Sequence, residues 1–125
     1  FAAVVEQEGI VIIDFWASWC APCRMFAPTF EAAAMKHEDS VWAKVDTEAE
    51  PALASALQIR AIPTLAIFRD GILVFSQAGI FSPHMLEQAI EKTRALDMAA
   101  IRKEVDAAEK EKAKATAARE IRSSE

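Results

Sequence analysis

The sequence has few metal ligands, no long apolar stretch and no basic segment. It contains two cysteines and two histidines, and the histidines, His37 and His84, are too distant along the chain to match the ligand spacing of a closed structural zinc site. No apolar stretch approaches the roughly 20 residues that a membrane-spanning helix needs. The net charge is −5, and nothing in the chain resembles a basic nucleic-acid-binding face. These absences argue against a zinc site, a membrane span and a nucleic-acid partner.

The acidic excess lies in the first three quarters of the chain. Residues 1–95 hold twelve acidic and seven basic side chains, whereas residues 96–125 hold seven of each and contain no glycine or proline. Just over half of all residues are apolar, which is enough to bury the core of one domain of ordinary size. We therefore expect a folded domain over residues 1–95 and a charged helical extension over residues 96–125.

The two cysteines, Cys20 and Cys23, are separated by two residues and follow the apolar run Ile10–Trp16. The run predicts a strand, and a helical pattern from Ala21 onward, with Pro22 in its first turn, follows it. Cys20 is then at or just before a helix N-terminus, where free N–H groups and the helix dipole favour a thiolate. A structural staple is disfavoured, because bridging residues three apart constrains little chain entropy. The pattern predicts a redox site, with Cys20 as nucleophile and Cys23 as the resolving thiol.

The remaining pattern alternates strands and helices, which indicates an α/β protein with a mixed central sheet flanked by helices. We expect the end of a helix at Phe1–Glu8 with Gly9 as its stop, and a helix from Ala21 with Pro28 inside it. A strand at Val41–Val45 and a short helix at Glu50–Leu57 follow. The last expected elements are strands at Leu65–Phe68 and Ile72–Phe75 around Arg69-Asp70-Gly71, and a helix capped by Ser82. Phe26, Phe30, Phe68 and Phe75 have the spacing of core residues.

The extension is expected to form one long C-terminal helix. Met98, Ile101, Val105 and Ala108 follow the spacing of a coiled-coil seam, but charged residues take over the seam after Ala108. We therefore expect a solvated single helix and a monomeric protein. A dimer formed through this tail is the alternative.

Several spaced motifs of the domain resemble the thioredoxin family. They are Asp14-Phe15-Trp16-Ala17, Trp19-Cys20-Ala21-Pro22-Cys23 with Arg24 behind it, Pro28, Lys44-Val45-Asp46, Ile62-Pro63-Thr64, Gly71 and Gly79. The resemblance covers about residues 1 to 95 and implies a thioredoxin fold with a Cys20–Cys23 disulfide. The family usually has glycine where this chain has Ala21, and its first strand is not expected among these residues.

Asp14 interrupts the apolar strand, and burial of its carboxylate would raise its pKa. Such a group could accept the proton of Cys23 and return it. The resemblance implies this role for Asp14 and a tuning role for Lys44 nearby. A capped or solvated aspartate at a strand edge is the alternative.

The resemblance also implies a cis peptide bond at Pro63, which would expose the backbone of Ile62 to an extended substrate segment. Trp16 is interpreted as a core residue. An apolar contact surface is expected around Cys20. Its expected members are Trp19, Ala21, Pro22, Ile62, Thr64 and Gly79.

The predicted function is thiol-disulfide oxidoreductase activity that reduces protein disulfides. By resemblance, the chain binds no cofactor and receives electrons from NADPH through a flavoprotein thioredoxin reductase, so its partners are that reductase and disulfide-bearing proteins. The expected location is the cytoplasm, although export remains open because the sequence starts at Phe1. The alternatives are an exported oxidase or isomerase of the same fold, and a binding or holdase module without turnover.

Overall fold

The computed structural model describes residues 2–124. By its internal contacts the chain divides into two compact units, Phe1–Ala95 and Leu96–Glu125. The first contains strands and helices in the order α1 (Ala2–Val5), β1 (Ile10–Trp16), α2 (Ala21–Lys36), β2 (Val41–Asp46), α3 (Pro51–Ala56), β3 (Thr64–Arg69), β4 (Ile72–Ala78) and α4 (Pro83–Arg94). The second contains α5 (Met98–Ser124).

The four strands described form one mixed sheet in the order β2-β1-β3-β4. Strand β1 pairs in parallel with β2 and antiparallel with β3, and β3 pairs antiparallel with β4. With a strand on either side, β1 is a central strand, and all of its residues except Trp16 are buried. Its apolar sequence therefore reflects cover on both faces of the sheet.

Side chains of β1 alternate between two apolar cores, because successive residues of a strand point to opposite faces. Ile10 and Ile12 join the first core, and Val11 and Ile13 join the second. The first core includes buried residues of α2 and α4, among them Phe26, Phe30, Leu86 and Ile90. The even-numbered face of β1, which includes Asp14, is thus the face that packs against α2.

The helices begin where the sequence signals predict. Cys20 is the N-cap of α2, with a proline in the first turn. Ser82 is the N-cap of α4, where its hydroxyl accepts a hydrogen bond from the Met85 N–H at 3.1 Å. Such caps satisfy N–H groups that have no partner inside the helix.

A two-residue loop joins β3 to β4. Its residues Asp70 and Gly71 both have positive φ, 53° and 82°, as the favoured hairpin turns require. Strand β4 continues to Ala78, three residues past its predicted end at Phe75. Phe75, expected to be a core residue, is only partly buried. The residues past Phe75 pair with β3 up to Thr64, a long-range contact that no local pattern shows.

The fold class predicted from the sequence is confirmed, with a mixed sheet, flanking helices and a long C-terminal helix. The N-terminal helix ends at Val5, earlier than the expected end before Gly9. Phe1, the first residue of the expected helical stretch, lies outside the described residues. In the second unit, the carboxylate of Asp97 accepts a hydrogen bond from the Ala100 N–H at 3.2 Å at the start of α5. Side chains from 106 to 122 are all exposed. None of the helices within residues 2–124 is both long and apolar enough to cross a membrane.

Candidate active site

Cys20 and Cys23 are joined by a disulfide at the N-terminus of α2, with their Cα atoms 5.3 Å apart. The Cys20 sulfur accepts a hydrogen bond from the Cys23 N–H at 3.2 Å. A thiolate at this N-cap position would receive the same N–H and the positive end of the helix dipole. The arrangement therefore favours negative charge on Cys20.

The turn between β1 and α2 fixes where Cys20 stands. The Cys20 N–H donates to the carbonyl of Ala17 at 3.2 Å, and the guanidinium of Arg24 donates to the carbonyl of Ser18 at 2.7 Å. These bonds tie the turn to the first helical turn. Both cysteines are buried, with 4% of Cys20 and 3% of Cys23 exposed.

The segment before β3 lies against the disulfide. The Ile62–Pro63 peptide bond is cis, and the Ile62 carbonyl oxygen lies 3.7 Å from the Cys20 sulfur. Pro63 is fully buried, and its carbonyl accepts a hydrogen bond from the Gly79 N–H at 2.9 Å. The Thr64 side chain is buried too and donates its hydroxyl to a backbone carbonyl, so it turns away from the surface.

Asp14 is buried and lines a cavity together with Cys23. Only 1% of the residue is exposed, and neither carboxylate oxygen has a hydrogen-bond partner among the described residues. Burial raises the pKa of Asp14 from 3.8 to about 6, against an opposing effect of the Lys44 charge. Asp14, Cys23 and Lys44 line one cavity of about 180 Å³ together with Trp16, Arg24 and Ala27. A buried carboxyl group and the second cysteine of the pair therefore line the same cavity.

Lys44 is the partner of Asp14 in the pairing of β1 with β2. Its ammonium does not bind Asp14 but lies 3.3 Å from a carboxylate oxygen of Glu31 and 5.9 Å from the ring centre of Trp16. Trp16 is only half-buried and packs against the cysteines. The sequence interpretation of Trp16 as a core residue thus holds only in part.

The face around Cys20 is exposed and largely apolar. Trp19 is 66% exposed, its neighbours Ala21 and Pro22 are exposed, and Ile62 is half-buried. The indole N–H of Trp19 donates to a carboxylate oxygen of Glu48 at 2.9 Å. Gly79 is exposed with φ of 121°, a conformation that favours glycine.

Sequence reasoning did not identify two acidic residues near the site. Glu31 lies eight residues after Cys23 on α2, a spacing that puts both on one helix face and could have drawn attention to it. Glu48 lies 29 residues from Trp19, and no local pattern indicates their contact. The histidines are outside the site: His37 ends α2 and pairs with Glu87 at 2.8 Å. Within residues 2–124 no group of three metal-ligating side chains comes together.

A disulfide between two cysteines at a helix N-terminus, next to a buried carboxyl group and a cis proline, defines a thiol-disulfide oxidoreductase. The family model for thioredoxin matches residues 1–92. A Streptomyces coelicolor protein with the provisional name thioredoxin 2 is 47% identical over 105 residues, which cover 84% of this chain and 78% of that protein. Thioredoxin 1 of Synechococcus elongatus is 42% identical over 90 residues, which cover 71% of this chain and 84% of the relative.

A solved structure of a mutant thioredoxin from Halobacterium salinarum superposes with a TM-score of 0.70 at 37% identity, covering 76% of this chain and 83% of that one. The thioredoxin structure from Plasmodium falciparum gives a TM-score of 0.69 at 32% identity, covering 74% and 89%. The chain belongs to the thioredoxin family. Its activity is the exchange of thiols and disulfides with other proteins through Cys20 and Cys23.

Proposed function

We propose that this chain reduces disulfide bonds in flexible protein segments by a two-step exchange, with Asp14 as the proton acceptor for the second step. The observation that carries the proposal is the juxtaposition of the Cys20–Cys23 disulfide, the Ile62 backbone and the buried Asp14 carboxyl, which lines one cavity with Cys23. Each group has one role in the cycle.

In the first step, the Cys20 thiolate attacks one sulfur of the substrate disulfide. A bond forms between Cys20 and that sulfur, the substrate S–S bond breaks, and the second substrate sulfur leaves as a thiolate that takes a proton from solvent. The Cys23 N–H, which points at the Cys20 sulfur, stabilises the attacking charge. The product is a mixed disulfide between the chain and its substrate.

In the second step, Cys23 resolves the mixed disulfide. Its thiol gives a proton to the Asp14 carboxylate and attacks the Cys20 sulfur, so that the Cys20–Cys23 bond forms and the second substrate thiolate leaves. Two electrons have then passed from the cysteine pair to the substrate. With a pKa of about 6, Asp14 is mostly ionised at pH 7 yet is a stronger base than an ordinary aspartate, as proton acceptance requires.

The proposed docking surface is the apolar face around Cys20. Trp19 and Pro22 supply exposed apolar area, and the Ile62 backbone can pair with an extended segment as an added strand. This surface contains little charge, and Trp19 and Ile62 also line a cavity of about 190 Å³ beside it. Such a surface suits many unfolded or flexible substrates.

The proposed electron source is NADPH, used through a flavoprotein thioredoxin reductase that returns the Cys20–Cys23 disulfide to the dithiol. Nicotinamide and flavin then belong to the partner, and Lys44 tunes the proton affinity of Asp14 through its charge. The reducing direction implies a cytoplasmic location, where thiols are kept reduced.

The mechanism is tested by trapping the mixed disulfide. Cys23→Ser is incubated either with disulfide-intact insulin or with insulin that has been reduced and alkylated. A covalent adduct is expected only with the disulfide-intact form, detected by non-reducing electrophoresis and mass spectrometry. Cys20→Ser is the matched control and should form none. If Cys23→Ser formed no adduct, the two-step exchange would be wrong.

Turnover and direction need their own measurements. Dithiothreitol-driven reduction of insulin by the unaltered chain is expected to exceed the background rate, whereas a binding module would leave that rate unchanged. Equilibration with glutathione gives the redox potential. A cysteine pair that stays reduced only in strongly reducing glutathione supports the proposed reductase, and one that is reduced even by oxidising mixtures indicates an oxidase or isomerase.

A further inference from the structure

Among the ion pairs of the described residues, Glu31 is the one partner of the Lys44 ammonium. The two side chains meet at 3.3 Å, with Lys44 about one third exposed and Glu31 two thirds exposed. The ammonium also lies 5.9 Å from the centre of the Trp16 ring, within the range in which a cation is attracted to an aromatic face. Two contacts therefore hold Lys44 in a position where it forms no ion pair with Asp14.

The position of Glu31 follows from the geometry of α2. Cys23, Ala27 and Glu31 are spaced by four residues, so they lie along one stripe of the helix. Cys23 and Ala27 line the cavity that Asp14 also lines. Glu31 lies further along the same stripe, where its side chain meets that of Lys44 on β2. The helix that carries the resolving cysteine thus also carries the group that binds the lysine.

Lys44 lies near the carboxyl group of Asp14 as well as that of Glu31. Asp14 is its neighbour across the strand pair and lines the same cavity, and an Asp14 without a hydrogen-bond partner would attract a free ammonium strongly. An ion pair there would stabilise the carboxylate and make it a weaker base. The position of the lysine therefore controls how well Asp14 can take a proton.

We propose that Glu31 is a positioning residue for thiol-disulfide exchange in this chain: it holds the Lys44 ammonium at the Trp16 side of the cavity, so that the buried Asp14 carboxylate keeps its affinity for the Cys23 proton. This inference rests on the proposed function of Asp14. Glu31 acts through its ion pair with Lys44 and lies about two helical turns beyond Cys23 on α2.

Other charged groups lie near Asp14 and Lys44, and they remain unchanged in the test. Arg24 lines the Asp14 cavity from α2, and its guanidinium is bound to the Ser18 carbonyl. Asp46 and Glu50 line a neighbouring cavity of about 430 Å³ with Lys44. Since none of these groups changes in a Glu31 variant, the Lys44 contact is the one removed.

The test compares Glu31→Gln with the unaltered chain. Loss of the Glu31 charge frees Lys44 to approach Asp14, which should lower the pKa of Asp14 by about half a unit, as the modest strength of exposed ion pairs suggests. The pKa of Asp14 is followed by carbon-detected NMR of its carboxyl group from pH 4 to 9. Glu38→Gln, with the same change in net charge on an exposed residue, is the matched control and should leave that pKa unchanged.

A double-mutant cycle separates positioning from direct repulsion between carboxylates. In a Lys44→Met background, Glu31→Gln should leave the pKa of Asp14 unchanged, because the lysine through which Glu31 acts is gone. An equal fall in both backgrounds would overturn the inference, and so would no fall in the unaltered background. The pH profile of Cys23-dependent release from the mixed disulfide should move to lower pH in Glu31→Gln by the same amount.

Failure of this inference and failure of the proposed function give different results. If Asp14→Asn slows resolution but Glu31→Gln leaves the pKa of Asp14 unchanged, the Glu31 inference is wrong and the proton-acceptor role stands. If Asp14→Asn leaves resolution unchanged, the proton-acceptor role is wrong whatever the Glu31 variant does to that pKa.

Discussion

Replacement of Asp14 by Asn tests the burial of this carboxyl group directly, because it removes the charge and keeps the size of the side chain. The folded pKa of about 6 exceeds the ordinary value of 3.8 by about 2.2 (6 − 3.8). At 1.36 kcal/mol per pKa unit, ionised Asp14 costs the folded state at most about 3 kcal/mol. Because the cavity that Asp14 lines admits some solvent screening, we expect about 2 kcal/mol.

The sign of the effect follows from proton binding. Since the folded state holds the Asp14 proton more tightly than the unfolded state does, its stabilising contribution is complete below pH 3.8 and is lost as the pH rises through 6. The amide that replaces the carboxyl group in the variant does not titrate and has no such dependence. The free energy of unfolding of Asp14→Asn should therefore exceed that of the unaltered chain by about 2 kcal/mol at pH 8, and the difference should fall to about 0.5 kcal/mol near pH 4.

Urea unfolding of the oxidised forms, at several pH values between 4 and 8, measures this difference. A variant no more stable than the unaltered chain at pH 8, or a difference that does not change with pH, would refute the reasoning about burial. The same substitution should slow the release of substrate from the mixed disulfide, measured by rapid quenching between pH 6 and 9, because it removes the proton acceptor proposed for Cys23. Stability and rate are thus expected to change in opposite directions.

Two further substitutions probe the contact surface and the core. Trp19→Ala should raise the KM for insulin several-fold with little change in unfolding free energy, because Trp19 is 66% exposed. The reaction with a small aromatic disulfide is the control. An equal rise of KM for that small disulfide would contradict the docking role. Phe26→Ala should lower the free energy of unfolding by about 3–5 kcal/mol, since this α2 residue is fully buried in the first core. Thermal and urea unfolding measure the change. A loss below about 1 kcal/mol would show that the core repacks around the gap.

The local order of strand, turn and helix made the redox pair predictable from sequence. A buried strand that ends at Trp16 and a helix that begins at Ala21 leave Cys20 at the N-cap, and both bounds are found as predicted. The burial of Asp14 was predictable for a similar reason, because apolar neighbours on both sides place it within a central strand. These inferences concern residues that are near one another in the chain, where spacing alone limits the geometry.

The environment of each site residue depended on contacts between distant segments. The Ile62 carbonyl reaches the Cys20 sulfur across 42 residues, and Glu48 binds Trp19 across 29. The sequence indicated that Asp14 is buried, but the absence of a hydrogen-bond partner for it could be seen only once the surrounding strands and α2 were in place.

Local sequence is sufficient to specify the chemistry of this protein: two thiols at a helix N-terminus and a carboxyl group in an apolar strand. Packing between distant elements, and nothing in the local pattern, makes Glu31 rather than Asp14 the partner of Lys44. The physical reason is that a helix N-terminus is created by neighbouring residues, whereas the choice of partner for a long, flexible lysine depends on which charges the packing of β1, β2 and α2 brings within its reach.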